Sequence, residues 1–123
     1  MQVLIIEDEP LAADRLLRMI KATDPTIVIY DHVDTVRGAV ALLKQRGEEI
    51  DLLFCDIQLA DGLSFEIFDH VDFQKPVIFT TAYDQYAIDA FKVNSMHYLL
   101  KPIKAEELKH SLDKYHRLIK DQP

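Results

Sequence analysis

Short apolar runs alternate with longer segments of helical periodicity along this chain, and this alternation limits its fold more than any other feature. The runs hold four or five residues each, and they are Val3–Ile6, Thr26–Tyr30, Leu52–Cys55, Val77–Thr81 and His97–Leu100. A run of this length without polar alternation is typical of a strand that is covered on both faces. The alternation therefore predicts an α/β protein, with a five-stranded parallel sheet and helices on both faces.

The segments between the runs have the apolar spacing of helices. The first is predicted from Pro10, a residue that a first helical turn tolerates, to Lys21. The second is capped by Asp34 or Thr35 and ends at Gly47. The remaining three are predicted over residues 62–71, 85–93 and 104–119. Because crossovers between parallel strands are right-handed, this order predicts a doubly wound sheet of flavodoxin-like topology.

Size and charge narrow the classes of function. The chain has 123 residues, enough for one domain with a core, and 14 basic against 21 acidic residues give a net charge of −7. This balance argues against binding nucleic acid or an anionic membrane through this chain, since both require clustered Lys and Arg. No run approaches membrane-spanning length, and Cys55 is the single cysteine. A reducing, cytoplasmic location is expected.

Polar residues stand at the predicted carboxyl ends of the strands, where ligands of open α/β sheets bind. They are Glu7 and Asp8 after the first strand, Asp56 after the third, Thr81 at the end of the fourth and Lys101 after the fifth. Carboxylates gathered at one edge repel each other, and Mg²⁺ relieves this because it prefers oxygen ligands. An acceptor carboxylate, a metal, a cation and a hydroxyl are the parts of a phosphoryl-transfer site.

Two further polar pairs receive no catalytic role from the sequence. Asp31 and His32 are predicted to end the second strand, and no function is assigned to them. Asp61 with Gly62 is a turn signal that leads into the third helix.

Four motifs in order resemble a response-regulator receiver domain, and the resemblance covers essentially the whole chain. They are IIEDEP, LLFCDIQ, IFTTAY and HYLLKPI, at the ends of the first, third, fourth and fifth strands. The spellings EDE and TAYDQYAIDAFKVNSMHYLLKPI are similar to receivers of LytTR-type regulators, in which a DNA-binding LytTR domain follows. Residues 1–123 are therefore predicted to be a single receiver domain, the N-terminal part of a longer regulator.

The resemblance implies a role for each matching residue at the acidic site. Asp56 matches the phospho-accepting aspartate, and Asp8 matches the metal-binding acidic residue. Glu7 is implied to help through water, and the backbone carbonyl of Gln58 is implied to be a further metal ligand. Mg²⁺ is the implied cofactor.

A second group of matches concerns the switch between two states. Thr81 matches the switch hydroxyl, Tyr98 the switch aromatic residue, and Lys101 the invariant lysine, whose bond to Pro102 is often cis in the family. In that family the fourth helix, fifth strand and fifth helix form the dimer face of the activated protein. Here this face is predicted to expose Tyr86, Ile88 and Val93.

The implied function is a switch in two-component signalling. A histidine kinase is expected to donate a phosphoryl group to Asp56. The altered face is then expected to form a homodimer and to control an output, with transcription as the expected output. DNA would be bound only by a C-terminal domain outside these residues.

Two other functions remain open at this point. A Mg²⁺-dependent phosphatase of the haloacid-dehalogenase type also uses an aspartyl nucleophile, but it needs an aspartate two residues later, where this chain has Gln58. No enzyme activity is therefore expected. The other alternative is an interaction domain that is not phosphorylated.

One stretch departs from the usual receiver pattern. A proline usually stands four residues after the phospho-acceptor, and this chain has Ala60 there. The Asp61–Gly62 pair also comes two residues early, so the loop beside Asp56 is predicted to be shorter than usual. This leaves open how Gln58 is presented to a metal ion.

Overall fold

The computed structural model describes residues 1–82 and 95–120, and these contain a five-stranded parallel sheet. Its strands are β1 (Gln2–Ile6), β2 (Val28–Val33), β3 (Leu52–Asp56), β6 (Val77–Thr81) and β7 (Ser95–Leu100). Two short strands, β4 (Gln58–Leu59) and β5 (Gly62–Leu63), form a separate antiparallel hairpin. The order β2-β1-β3-β6-β7 confirms the doubly wound, flavodoxin-like fold that the alternating sequence pattern predicts.

Helices lie on both faces of the sheet. The described helices are α1 (Pro10–Thr23), α2 (Val36–Arg46), α3 (Ile67–His70) and the C-terminal helix (Ala105–Lys120). The segment 83–94, which includes the predicted fourth helix, lies outside the described residues. None of the described helices is both long enough and apolar enough to cross a bilayer.

Each apolar run is continuous because its alternate side chains enter two different cores. In β1, Val3 and Ile5 pack in the cluster that contains residues of α1 and the C-terminal helix. Leu4 and Ile6 pack in the cluster that contains residues of α2 and α3. All four side chains are fully buried, which explains why the run shows no polar position.

Two elements differ from the sequence prediction. Strand β2 runs to Val33, so Asp31 and His32 lie inside the strand rather than at its end. The predicted third helix is shorter than expected, because Gly62–Leu63 is a strand and Ser64–Glu66 is a 3₁₀ turn that precedes α3. The spacing of Phe65 and Phe68 suggested a longer helix, but both rings instead pack edge-on against Phe79 from this compact segment.

Helix α2 has its N-terminal N–H groups satisfied by two side chains. Thr35 is the N-cap, and its hydroxyl accepts a hydrogen bond from the Gly38 N–H at 2.9 Å. The carboxylate of Asp61 accepts hydrogen bonds from the N–H groups of Val36 (2.7 Å) and Arg37 (3.1 Å). Of the two residues that the sequence offered as caps, the structure therefore uses Thr35, and it adds a second cap from a distant turn.

Candidate functional site

Three acidic side chains meet at the carboxyl edge of the sheet. Strands β1 and β3 are parallel neighbours, with Ile6 paired to Cys55, so Glu7 and Asp56 follow in adjacent positions. One carboxylate oxygen from each of Glu7, Asp8 and Asp56 lies within 4.8 Å of the other two. Glu7 is 2% exposed and Asp56 is 7% exposed, whereas Asp8 is only half-buried. The parallel sheet thus brings together the carboxylates that the sequence placed at its strand ends.

Lys101 provides a positive charge between two of these carboxylates. Its Nζ donates a hydrogen bond to Glu7 Oε1 and lies 3.2 Å from Asp56 Oδ2, which it also contacts as a donor. The backbone holds this lysine in place, because its N–H donates to the carbonyl of Thr81 at 2.7 Å. The bond between Lys101 and Pro102 is cis. The lysine side chain is one-quarter exposed, so the site remains accessible from solvent.

The electrostatic balance at the site differs between the carboxyl groups. Burial raises the pKa of Asp56 to about 7; Lys101 opposes this rise, and the charge of Glu7 adds to it. Burial also acts on Glu7, but the hydrogen bond from Lys101 and the Glu9 N–H outweigh it, so the pKa of Glu7 lies below its usual value. Burial and the neighbouring Glu7 raise the pKa of Asp8. Asp8 and Asp56 therefore ionise less readily than ordinary carboxyl groups. A cation bound beside them would favour their charged forms.

Lys101 is itself held in its charged form. Burial works against the charge, but hydrogen bonding to Glu7 and the charges of Asp56 and Glu7 outweigh it, so the pKa of Lys101 is raised. Cys55 precedes Asp56 and packs in the core that contains residues of α2 and α3. Burial raises the pKa of its thiol to about 12. The buried thiol therefore stays protonated at neutral pH, which disfavours a role as a nucleophile.

The loop after Asp56 is a tight hairpin. Gln58 pairs with Leu63 and Leu59 pairs with Gly62, which leaves Ala60 and Asp61 as a two-residue turn. The Gln58 N–H lies 3.4 Å from Asp56 Oδ1 as a donor. Gly62 has a φ of 146°, a backbone conformation that side-chain-bearing residues rarely adopt. The glycine in the Asp61–Gly62 pair therefore permits this tight turn.

Backbone hydrogen bonds fix the base of this hairpin to the sheet. The Ile57 N–H donates to the Thr80 carbonyl at 3.0 Å, and the Ser64 N–H donates to the Ile57 carbonyl at 2.8 Å. These bonds hold the two peptide groups on either side of Ile57, directly before Gln58.

Thr81 and Tyr98, the residues matched to a switch, lie on β6 and β7, which pair with each other. Thr81 at the end of β6 is 1% exposed, and Thr80 beside it pairs with Asp56 across the sheet. Tyr98 lies in β7 opposite Phe79 and packs, half-buried, against the core that includes α2. Thr80 and Lys101 also line a cavity of about 320 Å³ on the side of α1. Tyr86, Ile88 and Val93, predicted for a partner face, lie outside the described residues.

Two residues at the site were missed by sequence reasoning. His32 Nε2 lies 2.7 Å from the carbonyl oxygen of Glu7, in hydrogen-bonding contact. Ile5 lies opposite His32 in the parallel register of β1 and β2. This register would have predicted the contact with Glu7 only if the sequence had shown that β2 extends past His32. Asp61 was assigned to a turn, but it also caps α2 from 25 residues away. No local signal in the sequence links a turn residue to that distant helix.

Taken together, the fold and the edge define a flavodoxin-like α/β domain whose strand ends gather an acidic triad and a lysine. Comparison with known proteins gives the family. The model of the response regulator receiver domain matches residues 3–113, and the chain belongs to that family.

The relatives by sequence are bacterial regulators. The chain is 38% identical to the sensory transduction protein LytT of Bacillus cereus over 94% of its own length and 47% of the relative. It is 35% identical to the positive alginate biosynthesis regulatory protein of Pseudomonas aeruginosa over 95% of its length and 48% of the relative. The chain therefore spans about half the length of the curated relatives it matches, and it resembles LytTR-type regulators.

Solved structures show the same architecture. The response regulatory domain of protein mrkE from Klebsiella pneumoniae superposes with a TM-score of 0.84 at 26% identity, over 99% of this chain and 100% of that one. The signal receiver domain of a LuxO repressor protein from Vibrio parahaemolyticus superposes with a TM-score of 0.77 at 27% identity, over 94% of this chain and 90% of that one. The fold is thus that of a receiver domain.

Proposed function

We propose that this chain is the phospho-accepting receiver of a two-component system, which takes a phosphoryl group from a histidine kinase onto Asp56. The observation that carries this proposal is the placement of Asp56 within one cluster of two acidic residues and one lysine. Asp56 is 7% exposed and lies at the carboxyl edge of the sheet, with its Oδ2 3.2 Å from Lys101 Nζ. Receiver domains of this family are signalling modules that work with a phosphodonor kinase.

The donor set at this edge fits Mg²⁺. Glu7, Asp8 and Asp56 offer only oxygen atoms, the ligands that this hard cation prefers. Asp8 and Asp56 would hold the ion with the Gln58 carbonyl, and Glu7, which is engaged by Lys101, would act through water. When bound, Mg²⁺ supplies positive charge that offsets the charge of the transferred phosphoryl group.

The transfer itself requires little covalent chemistry from the chain. A carboxylate oxygen of Asp56 attacks the phosphorus of a phosphohistidine, the N–P bond breaks as the new O–P bond forms, and the imidazole departs. Lys101 Nζ, already 3.2 Å from Asp56, is placed to donate to a phosphoryl oxygen. Because Asp56 and Glu7 are buried, bulk water has little access to the Asp56 carboxylate.

Phosphorylation changes the state of the domain through new contacts. The phosphoryl oxygens draw the hydroxyl of Thr81, the switch residue, and Tyr98 then moves toward the space that the threonine leaves. Thr81 lies at the end of β6, the strand next to β3, and Tyr98 lies in β7, the strand beyond it. A shift at Asp56 would therefore reach Thr81 first and pass through β6 to Tyr98. The face that includes Tyr86, Ile88 and Val93 is the part we propose to respond.

The output is proposed to be transcription, through a DNA-binding domain of the LytTR type that follows residues 1–123. Two observations support this output. The chain spans about half the length of its relatives, and one relative, from Salmonella typhi, is named as a transcriptional regulatory protein. This chain does not bind nucleic acid itself in the proposed scheme, because its net charge is −7.

Incubation with acetyl phosphate and Mg²⁺ tests the proposed function directly. Intact-mass spectrometry is expected to show one added phosphoryl group per chain, and hydroxylamine is expected to remove it, as it removes acyl phosphates. EDTA should prevent the addition. Absence of the adduct on the metal-loaded chain would contradict the proposal, and continuous release of phosphate from small phosphoesters would support a phosphatase instead.

The switch has a separate readout in the size of the protein. Light scattering is expected to show a monomer in Mg²⁺ alone and a dimer after addition of beryllofluoride, which mimics a bound phosphoryl group. The expected cause is the altered contact face that follows occupation of Asp56. A constant mass would exclude the dimer from the proposed scheme. It would not bear on phosphorylation of Asp56, which the mass-spectrometric assay tests.

A further inference from the structure

The turn of the hairpin beside the acceptor is tied to a helix on the face of the sheet. Asp61 Oδ1 accepts from the Val36 N–H at 2.7 Å, and Oδ2 accepts from the Arg37 N–H at 3.1 Å. These bonds join the tip of β4–β5 to the N-terminus of α2 across 25 residues of sequence. The hydrogen bonds from Val36 and Arg37 also hold the pKa of Asp61 below its usual value, so both oxygens are ionised acceptors at neutral pH.

The helix end alone does not require the turn residue to be acidic. Thr35 already caps α2 through Gly38, and the first turn of the helix contains no acidic residue of its own. Asp61 supplies the missing negative charge at the positive end of the helix dipole, and it does so from the turn that follows the acceptor strand. The interaction therefore constrains the turn as much as it stabilises the helix.

The hairpin needs such a constraint because it is very short. Only Gln58–Leu63 and Leu59–Gly62 pair across it, and an isolated hairpin of this size is marginally stable in water. Its two turn residues, Ala60 and Asp61, do not restrict the backbone as a proline would. An external anchor at the tip can supply that rigidity.

We propose that Asp61 is a positioning residue for the metal site: its carboxylate anchors the hairpin to α2 and so fixes the position of Gln58, whose backbone carbonyl would be a metal ligand. This inference rests on the proposed function, because it assigns to Gln58 the role of a metal ligand. Asp61 contacts no ion itself, and its effect is transmitted through three residues of a hairpin whose base is held by the Ser64–Ile57 hydrogen bond.

Three variants of the full chain separate anchoring from simple stabilisation of α2. Asp61→Ala removes both hydrogen bonds to the helix. Asp61→Asn keeps one oxygen acceptor and serves as the conservative variant. Thr35→Ala removes the other cap of the same helix, with a comparable expected loss of thermal stability, but does not touch the hairpin.

Amide hydrogen exchange, measured by NMR in EDTA, is the metal-independent readout. In Asp61→Ala the amide of Ser64, which donates to the Ile57 carbonyl, is expected to lose protection by about tenfold or more, while Thr35→Ala leaves it as in the wild type. Equal exchange in the two alanine variants would overturn the inference. Partial recovery in Asp61→Asn is expected, since one hydrogen bond persists there.

Titration with Mg²⁺, followed by the amide shifts of residues next to Asp56, tests the link to the metal. Asp61→Ala is expected to weaken Mg²⁺ binding by about tenfold, at the low end of the effect of outer partners of metal ligands. Thr35→Ala should bind as the wild type does. If Asp61→Ala also binds as the wild type does, the inference fails alone; if the wild type does not bind Mg²⁺, the proposed function fails with it.

Discussion

Asp56→Asn is expected to abolish formation of the phosphoryl adduct from acetyl phosphate and Mg²⁺. The carboxamide lacks the anionic oxygen that forms the O–P bond, and no neighbouring carboxylate takes its place in the same position: Glu7 is occupied by Lys101, and Asp8 lies half-exposed at the rim. Intact-mass spectrometry with the same reagents checks the result. The control Asp113→Asn makes the same chemical change at an exposed position of the C-terminal helix and should be labelled as the wild type is.

The same variant is expected to change the dependence of stability on pH, and this separates loss of the acceptor from loss of the fold. In the folded chain the pKa of Asp56 is about 7, against an ordinary value of 3.8, so the folded form binds more protons at this position in the window between those values. The free energy of unfolding of the wild type should therefore fall, relative to Asp56→Asn, as the pH rises through this window, and the difference should level off above pH 7.

Denaturant unfolding in EDTA at several pH values measures this difference. Asp56→Asn should be at least as stable as the wild type at pH 8, because it removes a buried carboxylate that is costly to ionise. A difference that does not vary between pH 4 and 8 would contradict the raised pKa. Labelling of Asp56→Asn at the wild-type rate would contradict its assignment as the acceptor.

Lys101→Met is expected to weaken both the fold and the acceptance of phosphate. The substitution removes the cation between Glu7 and Asp56 while keeping an apolar stem of similar length. Because the lysine side chain is one-quarter exposed, we expect a loss of about 1–3 kcal/mol in the free energy of unfolding at pH 8 in EDTA, between the values for surface and buried ion pairs. Mg²⁺ should restore part of this loss, since it supplies positive charge to the same carboxylates.

The rate of labelling by acetyl phosphate should fall by about 10²-fold in Lys101→Met, comparable with removal of one donor that stabilises charge in a transition state. The pKa of Asp56 should also rise further, because Lys101 is the group that lowers it. Lys109→Met, on the exposed side of the C-terminal helix, makes the same change in net charge and should show neither effect. Wild-type stability and labelling in Lys101→Met would exclude a role for this lysine in the site.

Most of the site could be predicted because a parallel sheet collects its strand ends at one edge. Glu7, Asp56 and Lys101 are far apart in sequence, but each stands at the end of an apolar run, and the strands of a parallel sheet all end at one edge. The order of these residues along the chain, rather than any single motif, indicated their convergence. What could not be predicted is the pairing: that Lys101 contacts Glu7 as well as Asp56 depends on the direction of its side chain.

The segment after Asp56 shows why local patterns fail near the site. The spacing of Phe65 and Phe68 favoured a helix over residues 62–71, and helical periodicity is a local signal. In the structure, Leu63 instead pairs with Gln58, and Ser64 bonds back to Ile57. These tertiary contacts outweigh the intrinsic preference of the segment.

The sequence by itself determined the class of fold and the set of residues at the sheet edge. It could do so because burial on both faces leaves continuous apolar runs, and because strand ends in a parallel sheet share one edge. Only the tertiary structure decided the contacts that join distant segments: Asp61 to α2, His32 to the Glu7 carbonyl, and Lys101 between two carboxylates. Such contacts depend on strand register, turn geometry and side-chain direction, which are set when the whole domain packs and which leave no periodic signal in the chain.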